Sequence, residues 1–444
     1  MRTIGRVVLA LLALTLLYRW ATSIPRDIVA GLLGLVALLV LLRRLLRRGL
    51  RRLRVGLTLW RRFGRRGGRI VKLALRDWPE VAERSGLTRR ARDQHGASVR
   101  EVPLVRHVDL NNGNAVLEVE PVGGSIAEYS ARAAALAGAF GAVRVSIEPG
   151  RSPGMVRLTV VDADPLSDTR VSTNPYVVGD GVRVALGVFE DGSPWEHDWV
   201  DASHVALQGA TRSGKSVITY SLLGGVAGRD DVIVTGVDPT GVLFRPWLNH
   251  PASDLRVSGT RDMSAAAAVL HRLTEIVDAR IAALGDRDKV EAFSAEEPLL
   301  LVVLEEYPGV LAASMAEDAG QARKPAERVQ PRIKRSVQRL VQEGAKVGVR
   351  VLILAQRMDA EIIGGAERSN LGTRVSMRVD APEAVRMLHP QAPQDVPERM
   401  TYASPGVAYV DVPGRGGRWT KANLMEYGDY LAVVRGENKN VVPS

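Results

Sequence analysis

One eight-residue segment limits the possible folds of this chain more than any other, because it fits the phosphate-binding pattern G-x-x-x-x-G-K-[ST]. Its residues are Gly209, Ala210, Thr211, Arg212, Ser213, Gly214, Lys215 and Ser216. The glycines let the backbone turn so that successive N–H groups face phosphate oxygens. We predict that Lys215 reaches the β- and γ-phosphates of ATP and that the Ser216 hydroxyl holds Mg²⁺.

The segments around this loop predict an α/β fold. A phosphate loop joins a buried strand to a helix whose N-terminus favours anions. Residues 205–207 form an apolar run before the loop, and residues 217–223 form an apolar helical pattern after it. Apolar strand patterns at 232–237, 299–304 and 351–354 then alternate with helical ones. This alternation is typical of a parallel sheet, so we expect a RecA-like P-loop ATPase domain.

Polar residues follow two of these strands, at the edge where open parallel sheets bind ligands. Glu305 and Glu306 come directly after the strand at 299–304. We assign Glu305 to the shell of Mg²⁺ and Glu306 to the base that polarises the attacking water. Gln356 follows the next strand and is predicted to bond to the γ-phosphate or that water. The alternative for the acidic pair is a helix cap.

Composition restricts the remaining chemistry. The chain has no cysteine, which excludes disulfides and thiolate metal sites, and its seven histidines are scattered. The net charge is +11, but the first 76 residues hold eighteen basic residues against one aspartate, so the rest is net acidic. Any DNA contact in that later part must come from local basic segments rather than from an overall positive field.

Two apolar runs, residues 4–18 and 28–42, predict a transmembrane hairpin over residues 1–42. Each run is shorter than the ~20 residues a spanning helix needs, but flanking arginines and the interfacial Tyr18 and Trp20 can extend it. The arginines after Leu42 predict that both ends, and therefore the motor, lie in the cytoplasm. A cleaved signal peptide and a buried soluble hairpin are the alternatives.

The segment after the hairpin is strongly basic, with fourteen arginines and lysines and no acid between Arg43 and Arg76. Its apolar residues recur on one helical face, which suits a helix lying on the anionic lipids of the cytoplasmic membrane. DNA binding by this segment is the alternative. The apolar residues are Leu46, Leu50, Leu53, Leu57 and Trp60.

Short strand patterns around one alanine-rich helix predict a small α+β domain ahead of the motor. The strands are expected at 115–119, 143–147 and 156–161, and the helix at 126–140. The predicted segments are a hairpin (1–42), a basic juxtamembrane helix and linker (43–99), the α+β domain (100–165), a linker (166–181), the motor (182–435) and a tail (436–444).

In combination, these motifs resemble the FtsK/SpoIIIE family of DNA-pumping ATPases. The resemblance covers roughly residues 100–430 and depends on the order of its elements. These are a hairpin containing Leu186-Gly187, the phosphate loop, Val237-Asp238-Pro239, the strand ending in Glu305-Glu306, the segment from Ile353 to Arg357, and the segment from Asn370 to Arg374.

The resemblance implies a ring, usually a homo-hexamer, around double-stranded DNA, with ATP bound between subunits. It also implies an arginine that acts on the ATP of a neighbouring subunit. Arg374 is the first candidate and Arg357 the second, and a surface or ion-paired arginine is the alternative for either. Membrane helices ahead of a cytoplasmic motor also match the family.

The chain departs from the family pattern at three places. The family usually has Asp-Glu where this chain has Glu305-Glu306, so we expect slower hydrolysis or altered Mg²⁺ geometry. It usually has a lysine where this chain has Thr240. Little sequence follows the predicted last strand at 407–412, so we expect no C-terminal winged helix that reads DNA orientation.

With two predicted spans and one motor, this short chain resembles the conjugative transfer proteins of actinomycete plasmids and integrative elements. We therefore predict a membrane-anchored translocase of double-stranded DNA, with unidentified transfer or division proteins as partners. The alternatives are a chromosome or plasmid partitioning pump, a motor resembling those of type VII protein export, and a non-hydrolysing scaffold. Basic residues in and after an insertion at 313–330, from Arg323 to Arg339, either grip DNA phosphates or form a solvated face.

Overall fold

A computed structural model describes residues 70–437 except 93–96, 112–113, 173–174, 178–180, 203, 360–363, 413 and 415. The hairpin predicted at 1–42 and nearly all of the basic segment lie outside the described residues. No helix in the described part of the chain has the length and apolar character needed to cross a membrane. The described residues form two compact units. The first contains the residues up to Phe140 together with Ile147–Val160, and the second contains Gly141–Ser146 together with the residues from Val161 onward.

The first unit contains helices and most of a four-stranded sheet. The spatial order of this sheet is β3 (Leu104–Asn111), β4 (Asn114–Glu120), β6 (Val156–Val161) and β5 (Arg144–Pro149). The indole N–H of Trp78 donates to the carbonyl of Pro103 (2.6 Å), and the ring stacks on Phe140 at 6.2 Å. The predicted helix at 126–140 is two helices, because the first ends at Arg132. The elements are α1 (Trp78–Arg84), β1 (Arg89–Arg92), β2 (Ser98–Glu101), β3 (Leu104–Asn111), β4 (Asn114–Glu120), α2 (Ile126–Ala131), α3 (Ala133–Phe140), β5 (Arg144–Pro149) and β6 (Val156–Val161).

The second unit is built on one ten-stranded sheet, of spatial order β11-β10-β12-β13-β9-β14-β15-β16-β7-β8. Its strands are β7 (Arg183–Phe189), β8 (Pro194–Asp198), β9 (Val205–Gln208), β10 (Val232–Asp238), β11 (Arg256–Ser258), β12 (Leu299–Leu304), β13 (Val349–Ala355), β14 (Thr373–Met377), β15 (Val407–Val412) and β16 (Gly416–Ala422).

The prediction of a parallel sheet is right for only part of this sheet. Neighbours from β11 through β14 pair in parallel, whereas the neighbours from β14 through β8 pair antiparallel. Short connections such as the one between β15 and β16 return the chain directly beside itself, which only antiparallel pairing permits. The sheet is therefore mixed, and the predicted hairpin is confirmed as β7 and β8 at its edge.

Helices cover both faces of this sheet, and β12 shows how. All six of its residues are buried. Leu299, Leu301 and Val303 pack with α4 (Lys215–Gly224) and α11 (Tyr427–Val434). Leu300, Val302 and Leu304 pack with α5 (Met263–Ala283), α6 (Tyr307–Gly320) and α7 (Val329–Glu343). Side chains alternate between faces along a strand, so two covered faces require a continuous apolar run. The helices are α4 (Lys215–Gly224), α5 (Met263–Ala283), α6 (Tyr307–Gly320), α7 (Val329–Glu343), α8 (Gly365–Asn370), α9 (Pro382–Leu388), α10 (Asp395–Thr401) and α11 (Tyr427–Val434).

The prediction that the sheet ends at 407–412 is wrong, because β16 and α11 follow. β16 begins with Gly416-Gly417-Arg418 and has a weak strand pattern of its own. It forms because it fills the place between β15 and β7. Tyr430 of α11 is fully buried in the core beneath α4.

Candidate active site

The phosphate loop joins β9, inside the sheet, to the N-terminus of α4. Gly214 caps this helix at φ +108°, a conformation that favours glycine. A Cβ at Gly214 would lie 2.9 Å from Cε of Met377 and 3.0 Å from the backbone nitrogen of Gly406. A Cβ at Gly209 would lie 2.5 Å from Oγ of Ser213. Both glycines are therefore required for the loop to pass this close to its surroundings.

Two arginines lie beside this loop, and only one belongs to the predicted motif. Arg212 is exposed at φ +62°, a left-handed conformation that costs a non-glycine residue about 1 kcal/mol. Arg378 follows β14 and donates a hydrogen bond to the carbonyl of Thr211 (3.4 Å), while its own carbonyl accepts from the N–H of Ala210 (2.8 Å). Both positive charges favour an approaching polyphosphate.

The structure brings Lys215, Glu306 and Gln356 together at the carboxyl edge of the sheet. The ammonium of Lys215 lies 2.9 Å from Oε2 of Glu306, and the backbone N–H of Gln356 lies 3.4 Å from Oε1 of the same residue. Glu306 caps α6 at φ +42°, so the backbone turns sharply there to aim its carboxylate at the loop. A nucleotide phosphate would compete with Glu306 for the lysine. The side-chain amide of Gln356 is exposed, and its predicted role stays a prediction.

Glu305 lies in a second polar group, with Asp238 and Thr240. The Thr240 hydroxyl is 2.8 Å from Oδ1 of Asp238 and 3.2 Å from Oε2 of Glu305. Burial, the hydrogen bond with Asp238 and the charge of Asp238 raise the pKa of Glu305 to about 8. Burial alone would raise the pKa of Asp238, but hydrogen bonds from Glu305, Phe244 and Thr240 outweigh it and lower that pKa. At neutral pH the pair therefore holds one proton, on Glu305.

This proton predicts a pH dependence of stability for the nucleotide-free protein. Between pH 4.5, the usual carboxyl pKa, and about 8, the unfolded chain has lost the proton of Glu305 and the folded chain keeps it. The free energy of unfolding must therefore fall as the pH rises through this window. We expect Glu305→Gln to remove this fall, measured by urea unfolding at several pH values. An unchanged slope in the variant would contradict the shared proton.

Ser216 lies in the first turn of α4, beside Tyr220 one turn later. The two hydroxyl groups share a hydrogen bond, and burial raises the pKa of Tyr220, so its phenol stays neutral. Tyr220 also stacks on Tyr430, with ring centroids 4.8 Å apart. A small cavity of about 30 Å³ separates Ser216 from Glu305. Oxygen donors of this kind suit Mg²⁺, so these residues fit the ion that a nucleotide brings, which would neutralise phosphate charge.

The structure does not bring Arg374 to this site. β14 runs parallel to β9 with Arg374 beside Ala206, three residues before Gly209. Its guanidinium donates to the carbonyls of Arg368 (2.8 Å), Leu371 (3.0 Å) and Leu388 (3.3 Å) of the same chain. Arg357, the second candidate, pairs with Asp359 at 2.7 Å and remains partly exposed. Which arginine acts in trans stays a prediction.

Five residues of this region are absent from the predicted site: Gln208, Tyr220, Asp238, Thr240 and Arg378. A signal existed for three of them, one of which, Thr240, stands where the family usually has a lysine. Asp238 ends a buried strand, as Glu305 nearly does, and Tyr220 stands four residues after Ser216 on the same helical face. Gln208 and Arg378 carried no signal, since their partners are far away in sequence.

A glycine-dependent phosphate loop, with a lysine and an opposing carboxylate at the carboxyl edge of a helix-covered sheet, defines a P-loop ATPase. Residues 179–392 match the FtsK/SpoIIIE family. This segment, which contains the phosphate loop, Glu305 and Glu306, is similar to an FtsK/SpoIIIE domain.

Two curated proteins are similar to this chain. DNA translocase SftA of Bacillus subtilis (strain 168) is 25% identical over 214 residues, which are 45% of this chain and 21% of SftA. DNA translocase FtsK of Treponema pallidum (strain Nichols) is 22% identical over 213 residues, 45% of this chain and 25% of that protein. The chain thus spans a quarter or less of the length of these relatives.

Among solved structures, this chain is similar to the conjugation coupling protein TcpA of pCW3, in a monomer form with ATPγS. The TM-score is 0.46 and the sequence identity 17%, covering 82% of this chain and 99% of the TcpA chain.

Proposed function

We propose that this protein is a membrane-anchored, ATP-driven translocase that moves double-stranded plasmid or integrative-element DNA between cells. The observation that carries the proposal is the pairing of Lys215 with Glu306 inside the segment that is similar to an FtsK/SpoIIIE domain. ATP hydrolysis at such a site can drive the movement of a substrate that the same domain binds. The two curated relatives are named as DNA translocases, which supports DNA as that substrate.

A basic face on α7 supports DNA binding by this domain. Val329, Ile333 and Val337 point into the core, so the opposite side of the helix faces outward. From Val329 to Gln342 the chain contains no acidic residue. We call Arg332, Lys334 and Arg335 the α7 basic face. These three have no carboxylate within 4.0 Å among the described residues, so their charges remain available.

Two other arginines of the same region, Arg323 and Arg339, are already paired. Arg323 binds Glu317 at 2.9 Å and lies 3.7 Å from Asp318, and Arg339 binds Asp278 and Glu343. The α7 basic face contributes Arg332 and Arg335 to a shallow groove of about 370 Å³ beside α5. Phosphate contacts of this kind hold DNA without reading its sequence, as a translocase requires.

A ring of identical subunits fits the composition of the site. The cavity beside Lys215 is lined by Ser216, Thr219, Tyr220, Val242, Leu243, Glu305 and Leu354, and among the described residues no arginine lines it. Phosphoryl transfer in P-loop enzymes is commonly completed by an arginine supplied from a neighbouring molecule. We therefore propose a homo-oligomer, with a hexamer as the expected form, in which a second copy supplies this charge.

The membrane anchor and its orientation rest on the sequence pattern of residues 1–42 and on the arginines that follow. They would fix the motor at the cytoplasmic face of the cell membrane. Conjugative transfer and partitioning use the same motor chemistry, and a cell-to-cell transfer assay with a marked plasmid separates them. Loss of transfer without loss of plasmid inheritance supports conjugation.

The α7 basic face provides the test of DNA binding. We expect Arg332→Ala with Arg335→Ala to raise the DNA concentration that half-maximally stimulates ATP hydrolysis by about tenfold, and to lower the salt slope of binding by about 2. The matched control is Arg287→Ala with Lys289→Ala, which removes the same charge from exposed positions after α5. Equal effects of both pairs would contradict a DNA site on α7. Wild-type turnover indifferent to DNA would favour a protein-export motor.

A further inference from the structure

Gln208 is the last residue of β9 and directly precedes the phosphate loop. Its side chain is fully buried. Its amide nitrogen donates to Oγ of Ser376 (2.8 Å) and to the carbonyl of Ala384 (2.9 Å), and its amide oxygen accepts from the N–H of Met358 (3.0 Å). The orientation of the amide is determined, because the Ala384 carbonyl can only accept and the Met358 N–H can only donate.

These bonds connect Gln208 to the strand end that contacts the catalytic carboxylate. Met358 lies two residues after Gln356, whose backbone N–H reaches Glu306. The N–H of Gly209 also donates to the carbonyl of Ala355 (3.2 Å). The segment from Ala355 to Met358 is therefore held at one end by the backbone of the phosphate loop and at the other by the Gln208 side chain.

The amide nitrogen of Gln208 also bonds to a group that is itself held in place, the Ser376 hydroxyl. The Ser376 hydroxyl accepts from Gln208 and can therefore donate its own proton to Nε2 of His389, 2.8 Å away. Burial, assisted by the charge of Arg374, lowers the pKa of His389 to about 3, so its ring is neutral and able to accept. Gln208 thus rests on a buried and ordered chain of hydrogen bonds.

We propose that Gln208 is a positioning residue for the hydrolysis step. It holds the segment from Ala355 to Met358 in register with the phosphate loop, and so keeps the N–H of Gln356 on Glu306. It does not contact the groups predicted to bind the phosphates. Its loss should therefore slow hydrolysis while nucleotide binding, which depends on Lys215 and the loop, remains. This role concerns ATP hydrolysis alone and does not depend on the identity of the translocated substrate.

The test compares Gln208→Met, which fills the same space without hydrogen bonds, with Ser85→Ala as control. Ser85 is also buried, and its hydroxyl donates to the carbonyl of Val81 (2.7 Å) at the end of α1, in the first unit. In the full chain we expect Gln208→Met to lower kcat by about tenfold and to change KM for ATP by less than about twofold. We expect Ser85→Ala to change neither constant, although both variants lower the melting temperature.

Two further variants make the test decisive. Gln208→Asn keeps the amide but is too short to reach Met358, so it should also lower kcat; it replaces the methionine variant if that one does not fold. Ser376→Ala leaves the bond to Met358 in place and should lower kcat less. A folded Gln208 variant with wild-type kcat, or one in which KM rises while kcat is unchanged, would overturn the proposal.

Discussion

Lys215→Ala is expected to abolish ATP hydrolysis, with a loss of at least about 10²–10³-fold in kcat/KM. The Lys215 ammonium is the charge that the phosphate-loop motif supplies, and it lies 2.9 Å from Oε2 of Glu306. Removal of this ammonium leaves the half-buried Glu306 carboxylate without a counter-charge. The negative carboxylate then repels the phosphates. Release of inorganic phosphate at saturating ATP measures the effect.

Lys346→Ala is the matched control for this variant, since Lys346 is an exposed lysine outside the site. It should leave turnover unchanged. Wild-type turnover by Lys215→Ala would show that Gly209 to Ser216 is not the nucleotide site.

Glu306→Gln is expected to lower kcat by about 10²–10³-fold while ATP remains bound. The amide keeps the shape of the side chain and its acceptor for the N–H of Gln356, but cannot polarise water as a carboxylate does. It also frees Lys215 to bind phosphate, so affinity for ATP should be retained or increased. Turnover, together with radiolabelled nucleotide retained after gel filtration, measures both effects.

The control for this second variant is Glu296→Gln, at an exposed glutamate whose carboxylate accepts from the Ser294 hydroxyl (2.8 Å). It should turn over ATP like the wild type. Normal turnover by Glu306→Gln would move the base elsewhere, and Glu305 would be the next carboxylate to replace.

The elements that could be predicted from the sequence are those determined by local pattern. The phosphate loop is a contiguous motif, and β12 is a continuous apolar run that two covered faces demand. These two patterns place Lys215 and Glu306 at the same edge of the sheet, although the two residues are 91 positions apart in the chain. The rule that parallel strands present their ligands at the carboxyl edge was enough to predict this meeting.

The elements that could not be predicted depend on partners distant in the chain. β16 has a poor strand pattern and forms because β15 and β7 accept it on either side. The contact between Gln208 and Ser376 joins residues 168 positions apart. The carboxyl-edge rule brings Asp238 and Glu305 near each other, but the burial that keeps a proton on Glu305 exists only in the folded chain. Composition and periodicity carry no record of such pairs.

The most direct test of the central claim is displacement of a triplex-forming oligonucleotide from linear double-stranded DNA by the wild-type protein. A motor that moves along duplex DNA removes the third strand without separating the other two. We expect displacement that requires ATP and is lost in Lys215→Ala and Glu306→Gln. Rapid ATP hydrolysis without displacement, at DNA concentrations that saturate binding, would contradict the assignment of this protein as a DNA translocase.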